Sequence, residues 1–171
     1  MRLFVAIEIE PNDEIREILL KAKKLGLRTV SENNLHINLK FLGEVDDSQI
    51  EGIKKALDSA AGFGKFDIEL SGIGAFPGSG LIRVVWIGVK SDKVKALASL
   101  IDGELERLGF NKEKSYTPHI TLARVPKRVN GLKELLGERD FGRQEIKDIH
   151  LIKSILMSEG PRYDKIHTVS L

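Results

Sequence analysis

The chain has 171 residues, of which 42% are hydrophobic and 30% charged, with a net charge of +2 and no cysteine. This length suffices for one domain or two tightly joined lobes, and the lack of cysteine excludes disulfides and thiolate metal sites. With 27 basic residues against 25 acidic ones, any nucleic-acid contact must come from a local cluster of charge.

In chain order, Leu3 to Ile9 alternates as a strand. Asn12 or Asp13 caps a helix from about Asp13 to Leu25, with Ile15, Ile18, Leu19, Ala22 and Leu25 in one stripe and Gly26 as the stop. A strand at Leu35–Leu42 follows, then a helix from Ser48 to Ala61, a strand from Phe66 to Ile73 and a turn at Phe76–Gly80. The order then repeats. A strand at Ile82–Val89 carries the one tryptophan, Trp86, and a helix from Ser91 or Asp92 to about Leu108 ends at Gly109. A strand around His119, a short helix near Gly131–Leu136, a long strand from Glu145 to Met157 and a last strand from His167 to Leu171 complete the chain.

His36 and His119 lie 83 positions apart, and Asp67-Ile68-Glu69-Leu70 and Asp148-Ile149-His150-Leu151 lie 81 apart. A near-constant offset with the same element order indicates an internal duplication. The expected fold class is α+β: two pseudo-symmetric lobes, each a mostly antiparallel sheet with helices on its outer face and a cleft between them. No Pro/Ser-rich linker separates the halves, so 1–171 reads as a single bilobal domain whose lobes exchange terminal strands. No apolar stretch reaches bilayer length, and Glu8 and Glu10 interrupt the apolar start too early for a secretory signal. The expectation is a cytoplasmic protein without a membrane partner. The high share of charge suits a monomer, and few glutamines among many Lys, Arg and Glu suit a thermophile.

The chemistry-bearing stretches are Leu35-His36-Ile37-Asn38-Leu39-Lys40-Phe41-Leu42-Gly43 and Tyr116-Thr117-Pro118-His119-Ile120-Thr121-Leu122-Ala123-Arg124. Side chains alternate across a strand, which places His36, Asn38 and Lys40 on one face and Leu35, Ile37, Leu39 and Phe41 on the other. The same rule groups His119 with Thr121. Arg124 points away from His119 unless the strand bulges near Ala123. Two imidazoles on polar strand faces suit an acid and a base, because histidine titrates near pH 6.5. His-x-Asn and His-x-Thr are not metal-ligand pairs, and no serine-nucleophile elbow or phosphate-cradling loop is present. His150 and His167 lack any such pattern and read as structural or surface residues.

These two stretches resemble the paired His-x-Thr-x motifs of the two-histidine phosphoesterases, in particular the RNA 2′,3′-cyclic phosphodiesterase branch, also named 2′-5′ RNA ligase. The resemblance extends to Arg2-Leu3-Phe4-Val5-Ala6-Ile7, the Phe76-Pro77 turn, Trp86 and the closing Leu151-x-x-Ser154-x-Leu156-x-x-x-Gly160-Pro161-x-Tyr163. The departure is Asn38, where the family usually has threonine; its amide still donates to a phosphate oxygen. The resemblance implies His36 as proton donor, His119 as proton acceptor, and Asn38 and Thr121 on the phosphate oxygens, with no metal and no ATP. The implied partners are RNA ends carrying a 2′,3′-cyclic phosphate, such as tRNA fragments, or nucleotides. Lys40, Arg124, Tyr116, Arg83 and Lys153 are candidate substrate contacts, with Arg162 and Tyr163 beside them. The rival readings are a cyclic phosphodiesterase of small nucleotides and a non-catalytic RNA- or nucleotide-binding module.

Overall fold

Strand β1 (Arg2–Glu8) runs through the middle of one half of the sheet, with Leu3, Val5 and Ile7 buried in the main core and Phe4 and Ala6 buried on the opposite face. The structure, a computed structural model, describes all residues from Met1 to Leu171. Helix α1 (Asp13–Lys24) starts where the Asn12 side chain accepts the Ile15 N–H at 2.9 Å, and its buried side is Ile15, Ile18, Leu19 and Ala22. A two-residue strand β2 (Arg28–Thr29) and β3 (His36–Glu44) follow. Helix α2 (Ile50–Asp58) is entered through a 3-10 turn at Asp47–Gln49, capped reciprocally by Asp46 and Gln49. Next come β4 (Phe66–Phe76), β5 (Val84–Lys90) and α3 (Asp92–Glu106), which Ser91 caps through the Val94 N–H. The chain closes with β6 (His119–Arg124), β7 (Gly137–Ile146), β8 (Asp148–Met157) and β9 (Gly160–Ser170).

Every pairing is antiparallel, and the strands lie in the order β7-β4-β5-β6-β3-β1-β8-β9 with β2 beside β6. The fold is α+β, as expected: a curled antiparallel sheet whose two lobes meet at β3 and β6, with the three helices packed on one face. The main core of 38 buried residues lies between helices and sheet. Strand β4, from the first half of the chain, pairs with β5 and β7, while β8, from the second half, pairs with β1. The lobes touch through a narrow seam, because β3 and β6 pair at Ile37 and Ile120 alone.

Three expectations change. The long strand expected at Glu145–Met157 is two strands, β7 and β8, parted at Lys147. Strand β9 begins at Gly160 instead of His167, and the helix near Gly131–Leu136 is only a 3-10 turn at Leu132–Glu134. Strands β7 and β9 are the sheet edges, polar on both faces; β7 buries only Phe141 and Ile146, and β9 only Val169. Such edges resist pairing with other chains but carry no periodic apolar signal.

Both histidine strands bulge at the same place. In β3 the partners step from Ala6↔Asn38 to Val5↔Lys40, leaving Leu39 extra. In β6 they step from Trp86↔Thr121 to Val85↔Ala123, leaving Leu122 extra. Each bulge lies three residues after its histidine and exchanges the faces that follow. Lys40 and Ala123 therefore turn to the helix side, and Phe41 and Arg124 to the cleft side.

Candidate active site

The seam between the lobes positions the site. Ile37 and Ile120 face each other on the helix side, so on the open side His36 lies across from Thr121 and Asn38 across from His119. The two histidines occupy a diagonal of this square, a relation that spans about 7–8 Å in a regular antiparallel pair.

The two imidazoles are held alike. His36 Nδ1 lies 2.7 Å from the Asn34 carbonyl oxygen and His119 Nδ1 lies 2.8 Å from that of Thr117. A carbonyl oxygen only accepts, so in each neutral ring Nδ1 donates and Nε2 keeps its lone pair. The Asn34 turn is itself anchored, since its side-chain amide donates to the Pro161 carbonyl at 2.9 Å.

Aromatic rings wall both histidines. Phe4 and Tyr163 stand 5.1 and 5.5 Å from His36, and 5.0 Å from each other. Phe76 and Trp86 stand 5.2 and 6.2 Å from His119. The Trp86 ring lies across β4 at Gly74, where an added Cβ would come within 2.1 Å of it, so only glycine lets the indole lie there. Burial pushes the His36 pKa below its ordinary value, and the neighbouring His119 pushes the same way; the Asn34 carbonyl and Glu8 oppose them. Burial raises the Tyr163 phenol, against the pull of Arg124 and Arg2.

Most of the candidate substrate contacts leave the cleft. Lys40 is 3% exposed on the helix side, its ammonium 2.6 Å from Asp102 Oδ1, bonded to the Asn111 carbonyl and 3.5 Å from Glu113. The β3 bulge overturns the alternation that grouped it with His36. Tyr116 packs against the main core and donates to the Asn38 carbonyl at 3.0 Å, so it braces β3 from behind. Lys153 is opposite Leu3 and therefore on the helix-side face, and Arg162 pairs with Asp164, the partner of Lys153 in β9. Arg83 is exposed just before β5, out of phase with Trp86. Arg124 alone of the five moves toward the histidines, through the β6 bulge. His150 is buried with Nδ1 2.9 Å from Thr168 Oγ1, and His167 Nε2 lies 2.7 Å from Asp58. Arg2, Phe4 and Phe41, with Phe76 and Trp86 beside His119, are cleft-face residues that sequence reasoning did not assign to the site. For Arg2 and Phe4 the β1 alternation was a usable signal; Phe41 depends on the bulge. No three His, Cys, Asp or Glu side chains gather as a metal site would require, and no helix is long and apolar enough to cross a membrane.

A curled antiparallel sheet with a histidine, and a polar residue two positions on, in each of its two central strands defines the class: a phosphoesterase of the LigT-like kind. The chain belongs to that family, for the family model "LigT like Phosphoesterase" matches it twice in tandem, over residues 7–86 and 87–163. A protein of Methanocaldococcus jannaschii named RNA 2′,3′-cyclic phosphodiesterase is 40% identical over 97% of this chain and 98% of its own length. A protein of Archaeoglobus fulgidus with the same name is 36% identical over 95% and 96%. Among solved structures, TT0787 of Thermus thermophilus superposes with a TM-score of 0.85 at 27% identity, covering 100% of this chain and 98% of that one. Escherichia coli LigT complexed with 3′-AMP superposes with a TM-score of 0.80 at 26% identity, over 99% and 97%.

Proposed function

We propose that this chain opens 2′,3′-cyclic phosphate at the 3′ end of RNA to a 2′-phosphate, by acid–base catalysis between His36 and His119. The observation that carries the reading is the matched pair of Nδ1–H bonds to the carbonyls of Asn34 and Thr117, which leave both Nε2 atoms as the working nitrogens. In this reading, His119 Nε2 takes a proton from water as the water oxygen bonds to phosphorus. The bond from phosphorus to O3′ breaks, and His36 Nε2–H gives its proton to O3′. The Asn38 amide and Thr121 hydroxyl donate to the non-bridging oxygens as charge builds on them.

Burial of His36 disfavours the imidazolium that a proton donor must be. An anionic phosphate between the histidines opposes that effect, so bound substrate favours the charged form of His36. No step uses a metal or ATP. With an RNA 5′-hydroxyl in place of water, the same displacement joins ends through a 2′-5′ linkage. All the groups invoked come from one chain, which supports action as a monomer.

The test is turnover, with EDTA present, of a short RNA ending in a 2′,3′-cyclic phosphate by wild type, His36→Ala and His119→Ala. The expected result is metal-independent formation of a 2′-phosphate, lowered about 10²- to 10⁴-fold in each variant, the usual contribution of a positioned acid or base. Binding without turnover in the wild type would sink the reading in favour of a binding module.

A further inference from the structure

We propose that Arg2 and Phe41 form a second subsite, which holds the phosphodiester and base of the nucleotide preceding the cyclic end and so favours RNA termini over cyclic mononucleotides. The inference rests on the reading above for where the cyclic phosphate sits. The Arg2 guanidinium carbon lies 5.3 Å from the centroid of the Phe41 ring. Phe41 is opposite Phe4 in the β1–β3 register, and the Phe4 ring lies 5.1 Å from that of His36. Residues two apart on β1, with a bulged neighbour strand, thus lead from the histidine outward along one face.

Three features mark this pair as waiting for a ligand. First, Arg2 has no carboxylate partner: its cross-strand neighbour Glu44 turns to the N-terminal ammonium, 3.6 Å away. Second, Phe41 is 49% exposed although it stands on the face that carries the histidines. Third, two of the other basic candidates are spent elsewhere, Lys40 in a buried ion pair and Lys153 on the helix-side face, while Arg124 serves the His119 strand. The Tyr163 ring, 5.5 Å from that of His36, feels the positive charge of both Arg2 and Arg124.

The chemistry then selects the occupant. A strand that ends in a cyclic phosphate continues in one direction only, through the preceding phosphodiester and nucleoside. A guanidinium suits that phosphate, and a half-exposed aromatic ring bearing a guanidinium plane suits a stacked base. A cyclic mononucleotide has no preceding phosphodiester or nucleoside to offer.

The test compares the Kd of adenosine 2′-phosphate with that of ApA bearing a terminal 2′-phosphate, in wild type, Arg2→Ala, Arg2→Lys and Phe41→Ala. Turnover of the corresponding cyclic substrates is measured alongside. Wild type should prefer the dinucleotide by roughly 5- to 100-fold, the range of one base–aromatic stack. That preference should fall toward one in Arg2→Ala and Phe41→Ala. For the dinucleotide, the slope of log K against log salt should drop by about 0.7 in Arg2→Ala and be kept in Arg2→Lys. Equal affinities in the wild type, or an Arg2→Ala variant that weakens both ligands in parallel, would overturn the subsite. Intact dinucleotide preference with no turnover of either cyclic substrate would overturn the hydrolytic reading and leave the subsite standing.

Discussion

His36 and His119 make the same bond to the carbonyl two residues back, at 2.7 and 2.8 Å, yet they sit in different surroundings. His36 is walled by Phe4 and Tyr163 and tied through Asn34 to β9, and its imidazolium is disfavoured by burial. His119 is flanked by Phe76, itself 39% exposed, and by Trp86. The shared bond fixes ring orientation and tautomer, while the walls around His36 disfavour its charged form. Two copies of one motif thus acquire different surroundings from their neighbours. The two bulges teach the same lesson. Each sends one residue to the helix side: Ala123, which the core accepts without further provision, and Lys40, whose charge requires Asp102, Glu113 and the Asn111 carbonyl.

The largest effect should come from breaking the costlier bulge. Lys40→Ala leaves Asp102 buried without its cation and should cost about 3–5 kcal/mol of stability, read by thermal or denaturant unfolding. Lys40→Met combined with Asp102→Leu should restore most of it. A single variant as stable as wild type would mean that water replaces the ammonium. Next, Asn38→Ala and Thr121→Ala should each lower kcat by about 10²- to 10³-fold, the effect of losing one oxyanion donor, with Asn38→Thr retaining most of the activity. A harmless Asn38→Ala beside a crippled Thr121→Ala would show that one half-site alone holds the phosphate.

The smallest effects concern pH. NMR titration of the free protein should place His36 below the ordinary imidazole range, and Tyr163→Ala, by admitting water, should move it upward. An unmoved His36 would assign the shift to Phe4 and His119 instead. The sign for stability follows from the same shift. His36 and His150 both have folded pKa values lowered by burial, so the unfolded chain binds more protons as pH falls. Their contribution is fully present above the unfolded value of about 6.5 and is lost as pH drops from there through the folded values.

The helices were legible because their apolar stripes and caps are local: of the two caps read for α1 and for α3, Asn12 and Ser91 are the ones used, and Ile15, Ile18, Leu19 and Ala22 face inward, while Leu25 is the C-cap. The strands bearing His36 and His119 were legible through alternation with buried Ile37, Leu39, Ile120 and Leu122. Strands β7 and β9 were not, because edge strands bury one face weakly and their polar residues mimic loops. The shared face of His36 with Asn38 and of His119 with Thr121 was legible from alternation, whereas Lys40, Tyr116 and Lys153, read with the histidines, lie off that face and Phe41, read against the core, lies on it.

The sequence by itself determined which side chains could do acid–base chemistry, and that two similar strands present them. Only the tertiary structure decided what surrounds each one. Alternation is a property of a single strand with period two, readable from its own residues. A bulge exists only relative to a partner strand, and β1 and β5, which reveal the extra Leu39 and Leu122, lie far away in the chain or are paired only by the fold. Which face Lys40, Phe41 and Arg124 take was therefore settled by cross-strand register, and with it the walls, charges and proton affinities of the cleft.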